Sequence, residues 1–267
     1  SDTRNEGIQN SNGAYISFID SDDYIEETMI EEMVNCIEKK KTDLVVCNYK
    51  LDYSGKILEK SPRLTSGDYL VKDINGKLID DGTLTGILFG SVCFCLYKRT
   101  IIDNNSIQFD PKIKINEDGF FNISYILNCT SLYALSNAYL YYYRMDTKNR
   151  TYTSNKIIHR FDIIEQRLRT DFDEKKIENF EKQLKRRNVS IALWNVLAIA
   201  NKLNKDSLTK KIKMIKAICD DEKVKNGLGC IKISEINKFK KIYFYLIKHR
   251  LATLIYFITK YIYPSLE

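Results

Sequence analysis

The chain is 267 residues long, 44% hydrophobic and 12% aromatic, enough for one or two buried cores and too apolar for a disordered polymer. Its seven cysteines lack paired spacing, which fits free thiols in a reducing compartment. It argues against a disulfide framework, and Cys93 and Cys95 have no second pair to make a zinc site. The net charge of +7 hides a split: residues 1–149 carry 16 Lys and Arg against 22 Asp and Glu, residues 150–267 carry 26 against 13. An acidic half followed by a basic half suggests two units with different partners, the basic one suited to nucleic acid, anionic lipid or a phosphorylated substrate. The first residues show no signal-peptide pattern, and no uncharged apolar run is long enough to span a bilayer.

In chain order, Tyr15-Ile16-Ser17-Phe18-Ile19 reads as a buried strand that runs into Asp20, Asp22 and Asp23. Acids at the end of a strand stand at the rim of a sheet, where open α/β folds bind ligands. Oxygen-only ligands at short spacing suit Mg²⁺ or Mn²⁺ shared with phosphates. The same residues also suit an ordinary polar turn before a helix. A calcium loop is excluded, because Tyr24 and Ile25 stand where it needs an oxygen ligand and a glycine.

Met29, Ile30, Met33, Val34 and Ile37 recur at helical spacing, so residues 24–40 are expected to form an amphipathic helix. Residues 43–49 read as a strand followed by a turn at Ser54-Gly55, and 64–90 are ambiguous. Ser91 to Tyr97 reads as a strand, with a short helix through Ile101 and Ile102. Asn116-Glu117-Asp118-Gly119 opens another helix, and Leu132–Leu135 and Tyr139–Tyr143 read as two strands. From Ser154 onward the pattern is helical, with Asn226-Gly227-Leu228-Gly229 as its clearest break. Leu193, Trp194, Val196 and Leu197 read as core. Residues 236–263 read as one final helix, basic and aromatic, suited either to cap the core or to meet a membrane interface.

Asn116-Glu117-Asp118 has two readings of its own. Asn116 makes an N-cap, and two acids in the first turn complement the helix dipole. The same position lowers a carboxylate pKa and keeps it ionised, a useful setting for a general base that must accept a hydroxyl proton.

Five stretches then fall in register: Arg4-Asn5-Glu6-Gly7-Ile8, Gly13 to Asp23, Leu96-Tyr97-Lys98-Arg99, Phe109 with Asn116-Glu117-Asp118, and Tyr141-Tyr142-Tyr143-Arg144. In order and spacing, residues 1 to about 150 resemble the family 2 glycosyltransferases of the GT-A fold. The fold class this implies is α/β, a partial, Rossmann-like GT-A domain over 1–152 followed by a helical, basic region over 153–267. The implied reaction is metal-dependent, inverting transfer of a sugar from a nucleotide-diphosphate donor, UDP-linked, to a glycan or lipid-linked acceptor. Surface polysaccharide biosynthesis is the implied setting.

The resemblance assigns the metal, Mn²⁺ or Mg²⁺, to Asp22 and Asp20, and the base to Asp118 with Glu117 beside it. Donor binding falls to Arg4, Asn5, Asp20 and Asp22, with Arg144, Lys148 and Arg150 following the last strand. The implied location is cytoplasmic, at the inner face of the plasma membrane where 236–263 would make peripheral contact.

The departures are also informative. In this family a strand, a P-x-Y-N-like segment, a base-contacting acid and an N-D-G-S-like turn come before the Arg-Asn motif. This sequence begins just before that motif, at Ser1. The expectation is therefore a chain lacking the opening nucleotide-binding half. Tyr15–Ile19 would then be an unpaired hydrophobic edge, and the chain alone would have little donor affinity. The main rival reading is a catalytically incompetent GT-A fragment that binds a glycan or a partner. Nucleic acid is not expected as a partner, because the basic residues follow no recognition signature.

Overall fold

The computed structural model describes residues 1–113, 116–145, 161–172, 176–201 and 204–262. They fall into two compact units, one of Ser1–Asn75 and Leu88–Asp146, the other of Gly76–Ile87 and Thr147–Glu267. The reading above divides the chain once, at 152/153. Here the twelve residues 76–87 leave the first half and build into the second unit.

The first unit is a mixed sheet with helices. In chain order it holds α1 (Asp2–Asn10), β1 (Tyr15–Ile16), β2 (Tyr24–Ile25), α2 (Met29–Lys40), β3 (Leu44–Tyr53) and β4 (Lys56–Lys60). There follow β5 (Gly67–Leu70), α3 (Val71–Ile74), β6 (Cys95–Lys98), α4 (Arg99–Asn104), α5 (Glu117–Ile126) and β7 (Ser131–Arg144). The sheet path runs β1-β6-β3-β7-β2, with β4 on β3 and β5 on β7. Only β3 and β7 are parallel, with Leu44 opposite Leu132 and Asp52 opposite Arg144. The fully buried run Leu44–Cys47 makes β3 the centre of the sheet, as a strand covered on both faces requires. Ser54 (φ 55°) and Gly55 (φ 98°) form the two-residue β3–β4 turn, whose left-handed pair matches the twist of a hairpin.

Several elements differ from their sequence reading. The strand expected over 15–19 is two residues long and pairs with β6 alone among the described residues. Beyond it the Ser17 hydroxyl donates to the Cys95 carbonyl at 3.1 Å, so a side chain takes the place of the next rung. The helix expected from 24 starts at Met29, because Tyr24 and Ile25 pair with Tyr142 and Tyr141. The strand expected over 91–97 begins only at Cys95. Its approach is irregular because the Asn122 amide donates to the carbonyls of Phe89 (3.0 Å) and Ser91 (2.9 Å). The two strands expected at 132–135 and 139–143 are one, β7, interrupted by register shifts where Asn137 adopts φ 52°. This is a bulge rather than a turn.

The second unit is helical: α6 (Phe161–Asp171), α7 (Phe180–Ala200), α8 (Leu208–Asp220), α9 (Glu222–Leu228), α10 (Lys238–Lys248) and α11 (Ala252–Ile262). Ser207, Asp221 and Asn237 cap α8, α9 and α10 by accepting from backbone N–H groups of the first turn, which satisfies donors that a helix start leaves orphaned. Val189, Leu193, Val196, Ile215, Ile255 and, from the inserted segment, Leu84 meet in its core. Trp194, expected there, is exposed instead.

Two breaks fall differently from expectation. Asn226-Gly227-Leu228 is not a turn but the end of α9. A Cβ on Gly227 would stand 2.3 Å from the Lys185 carbonyl oxygen and 2.6 Å from Val189 Cγ2. That glycine serves close packing of α9 on α7. The single final helix expected over 236–263 is instead α10 and α11. Arg250 sits between them at φ 57°, Leu251 N–H bonds the Leu246 carbonyl and Arg250 N–H that of Ile247. These are the two bonds of a Schellman termination, with arginine where glycine is usual.

The inserted segment is tied down by polar contacts. Ile79 N–H donates to Gln183 Oε1 at 2.8 Å, and Asp80 accepts from the Ser190 hydroxyl and from Gly82 N–H. Lys240 Nζ reaches the Thr83 carbonyl and Thr85 hydroxyl at 2.6 and 2.7 Å. Asp80 and Arg187 are both buried, so burial raises the Asp80 carboxyl pKa and pushes the Arg187 guanidinium down to about 10. Among the described residues, no helix is long and apolar enough to cross a membrane.

Candidate active site

Four segments of the first unit meet around one guanidinium. Arg4 on α1 donates from Nη2 to Asp20 Oδ1 at 2.7 Å and from Nη1 to Asp118 Oδ1 in a shorter contact. Its position is fixed from behind. The guanidinium lies 5.3 Å from the centre of the Phe109 ring. The neighbouring Asn5 amide exchanges two 2.8 Å bonds with the Phe109 backbone. Phe109 stacks on Phe121 of α5 with centroids 4.2 Å apart, and Phe18 meets both rings edge-on. An aromatic floor therefore holds α1, the 18–20 segment and α5 in one geometry.

Asp118 stands in the first turn of α5, one residue after Glu117. Asn116, expected to cap that helix through its side chain, makes no such bond and instead turns the backbone at φ 62°. The second Asp118 oxygen accepts from Val92 N–H at 3.3 Å. Burial is the largest influence on this carboxyl and raises its pKa. The Arg4 charge and the Val92 bond pull it back, and Glu117 adds to the rise. The outcome is the reverse of the lowering expected from the helix start: burial outweighs the dipole and shifts the carboxyl upward, toward the values that suit a general base.

The aspartate cluster divides its labour. Asp20 pairs with Arg4, and its N–H donates to the Tyr141 hydroxyl at 3.3 Å. Asp23 is structural: it accepts from the Tyr141 hydroxyl at 2.6 Å and from Arg144 N–H at 2.8 Å. Burial nonetheless raises its pKa, and the charges of Asp22 and Asp20 add to the rise. Asp22 is exposed and carries no hydrogen bond or ion pair among the described residues. The buried Cys93 thiol is pushed up to about 12, first by burial and then by the Asp20 charge.

Of the residues singled out from sequence, Asp20 and Asp118 meet on Arg4, Asn5 braces Arg4's helix and Glu117 acts on Asp118, while exposed Asp22 acts on Asp23. Arg144 contributes its backbone to Asp23 while its side chain lies 5.1 Å from the centre of the Tyr24 ring. Lys148 and Arg150 lie outside the described residues. Asp23 and Tyr141 were missed as site residues. Tyr141 is buried beside buried Leu140 while Tyr143, on the same strand face, is exposed, so strand alternation gave no signal for it.

Among the described residues, no group of three His, Cys, Asp or Glu is arranged to hold a metal unaided. Asp22 and Asp20 nonetheless fit a hard cation of the kind that takes one or two carboxylates and draws its other ligands from phosphate and water.

The chain is 29% identical over 139 residues to the poly(ribitol-phosphate) beta-N-acetylglucosaminyltransferase TarP of Staphylococcus aureus (strain N315), covering 52% of this chain and 39% of TarP. It is 26% identical over 239 residues to EpsH of Bacillus subtilis (strain 168), covering 85% of this chain and 65% of EpsH. It thus spans less than two thirds of the length of either relative. The crystal structure of S. aureus TarS 1–349 in complex with UDP-GlcNAc shares its fold, with a TM-score of 0.56 at 14% identity over 99% of this chain and 71% of that one. The α/β architecture is therefore of the GT-A kind, with a helical C-terminal region. Residues 1–105, which carry Arg4, Asn5, Asp20, Asp22 and Asp23, match the model of glycosyl transferase family 2.

Proposed function

We propose that this chain works in glycosyl transfer, moving a sugar from a UDP-linked donor to a hydroxyl of a glycan or lipid-linked acceptor with inversion at the anomeric carbon. The observation that carries the reading is the convergence on Arg4 of Asp20 and Asp118, two acids 98 positions apart in sequence. A likeness to TarP, named for transfer to poly(ribitol-phosphate), supports a surface polymer as the class of acceptor.

In this reading Asp118 takes the proton of the acceptor hydroxyl as its oxygen attacks the anomeric carbon in line with the departing diphosphate. Its upward-shifted pKa makes it a better proton acceptor than an exposed aspartate. Glu117 shapes the acceptor side and raises Asp118 further. Arg4 aims Asp118 and Asp20, and Asn5 locks Arg4's helix to the Phe109 backbone. Asp22 and Asp20 would hold a divalent cation. That cation, when bound, supplies the positive charge that stabilises the leaving diphosphate. Arg144, Lys148 and Arg150 complete the donor side.

The test is transfer from UDP-sugars in the complete polypeptide that carries these residues, with Mn²⁺ or with chelator. Asp118→Asn is expected to lower turnover by about 10²–10⁴-fold with an unchanged circular dichroism spectrum. Asp22→Asn is expected to weaken Mn²⁺-dependent UDP binding about tenfold or more. Full turnover by the Asp118 variant removes that residue from the role of base. UDP binding indifferent to Mn²⁺ and to Asp22 removes the metal.

A further inference from the structure

The helical unit carries an exposed apolar stripe that its own core leaves uncovered. On α11, Leu254 (47% exposed), Phe257 and Tyr261 (66% exposed) recur at helical spacing on the solvent side, and Leu251, just before the helix starts, extends the stripe to the break at Arg250. Isolated exposed apolar side chains are ordinary, but a contiguous stripe of large ones is a binding surface. Where α11 meets α8, a cleft of about 480 Å³ is lined by Ile212, Leu254 and Phe257 together with Lys216 and Arg250.

The charge carried by α10 and α11 themselves has one sign. No Asp or Glu occurs between Ile236 and Leu266. The Lys260 ammonium lies 5.8 and 5.3 Å from the centres of the Tyr256 and Tyr261 rings. Lys216 is exposed and carries no ion pair among the described residues. At the edge of the face Arg250 pairs with Asp220 at 3.4 Å and also feels the charge of Glu222. On α10, exposed Ile242 and Tyr245 alternate with Lys238, Lys241 and Lys248, again without an acid.

We infer that the α8–α11 face docks on the surface of an anionic lipid bilayer, Leu254, Phe257 and Tyr261 entering the headgroup boundary while Lys216, Arg250 and Lys260 meet lipid phosphates. An amphipathic helix with a large aromatic and aliphatic face and a cationic border is the arrangement that lies in such an interface. Long lysines reach past apolar side chains to the charged layer. A second copy of the chain fits less well, because a two-fold contact through this face would set the same cations against one another. The inference stands apart from the glycosyl-transfer reading, since its test follows lipid binding and not turnover.

The experiment is vesicle flotation of the 267-residue chain with neutral phosphatidylcholine vesicles and with vesicles of phosphatidylcholine and phosphatidylglycerol in equal parts. Binding is expected to the anionic vesicles only, and to weaken as salt is raised. Leu254→Ser with Phe257→Ser, both at exposed positions, is expected to weaken binding about tenfold or more, with an unchanged circular dichroism spectrum and thermal midpoint. Lys216→Glu is expected to weaken it about fivefold or more. No binding at low salt, equal binding to both vesicles, or full binding by the double variant would overturn the inference. So would a dimer in lipid-free solution that the same double variant dissolves, since the face would then belong to a second copy.

Discussion

Arg4 holds two carboxylates that approach from different parts of the sheet, and a planar guanidinium with several fixed donors suits that task better than a lysine would. Burial nevertheless dominates at Asp118, whose pKa lies above that of the unfolded chain. A native carboxyl that binds its proton more tightly than the unfolded one gives stability that falls as pH rises through the interval between the two values. Asp118→Asn, neutral at every pH, escapes that fall. Its thermal midpoint relative to the parent chain is therefore expected to improve as pH rises through and just above the ordinary aspartate range; a relative decline there would mean that the Arg4 pairing outweighs burial. At this scale much of the site was legible. Asp20, Asp22 and Asp118 announce themselves as acids beside a strand end and a helix start. Asp23 was not separable from its neighbours, because its structural role depends on Tyr141, more than a hundred residues away.

Helices α7 and α9 approach so closely that Gly227 has no room for a side chain. Gly227→Ala is expected to cost about 3 kcal/mol, read as denaturant midpoint, since the obstruction at 2.3 Å is backbone and cannot rotate away. A stability within error of the parent chain would mean that α9 shifts freely. Sequence suggested a turn here because Asn-Gly-Leu-Gly has turn chemistry, and only the partner helix reveals the packing role. The opposite error occurred at Arg250, where the helix ends in a left-handed residue that is not glycine, so no local signal marked the break. Strand β1 was overextended for a related reason. Its hydrophobic run through Phe18 serves the aromatic floor rather than the ladder. Elements set by local periodicity, such as α2, β3 and α5, were legible to within a few residues. Those set by a distant partner were not.

For the whole molecule, the division into two units does not follow the order of the chain. The helical unit includes Gly76–Ile87, whose Leu78, Ile79, Asp80 and Leu84 are all essentially buried. A polypeptide of residues 147–267 alone is therefore expected to lack a cooperative thermal transition, and cooperative melting comparable to that of the full chain would show the segment to be dispensable. Within the full chain, Asp80→Ala strands the buried Arg187 charge and is expected to cost about 3–5 kcal/mol; a cost below about 1 kcal/mol would mean that Arg187 is solvated. The acidic and basic halves of the sequence did point to two units. The excursion was invisible, because nothing in a stretch of twelve residues states which of two cores it will join.

That excursion also bears on the order in which the molecule can be made. Ile79 and Asp80 bond to Gln183 and Ser190, 104 and 110 positions later. On a ribosome the segment emerges well before α7 exists, while β6, which must insert between β1 and β3, emerges directly after it. The sheet can thus close while 76–87 waits as a solvated loop, its aspartate still in water. Burying that loop against α7 is a long-range closure, slow relative to the helices themselves, and the newborn chain carries an exposed Leu78-Ile79 pair until it happens. Molecular chaperones that recognise short apolar segments would find their target there, in the interval between release of the sheet and completion of the helices.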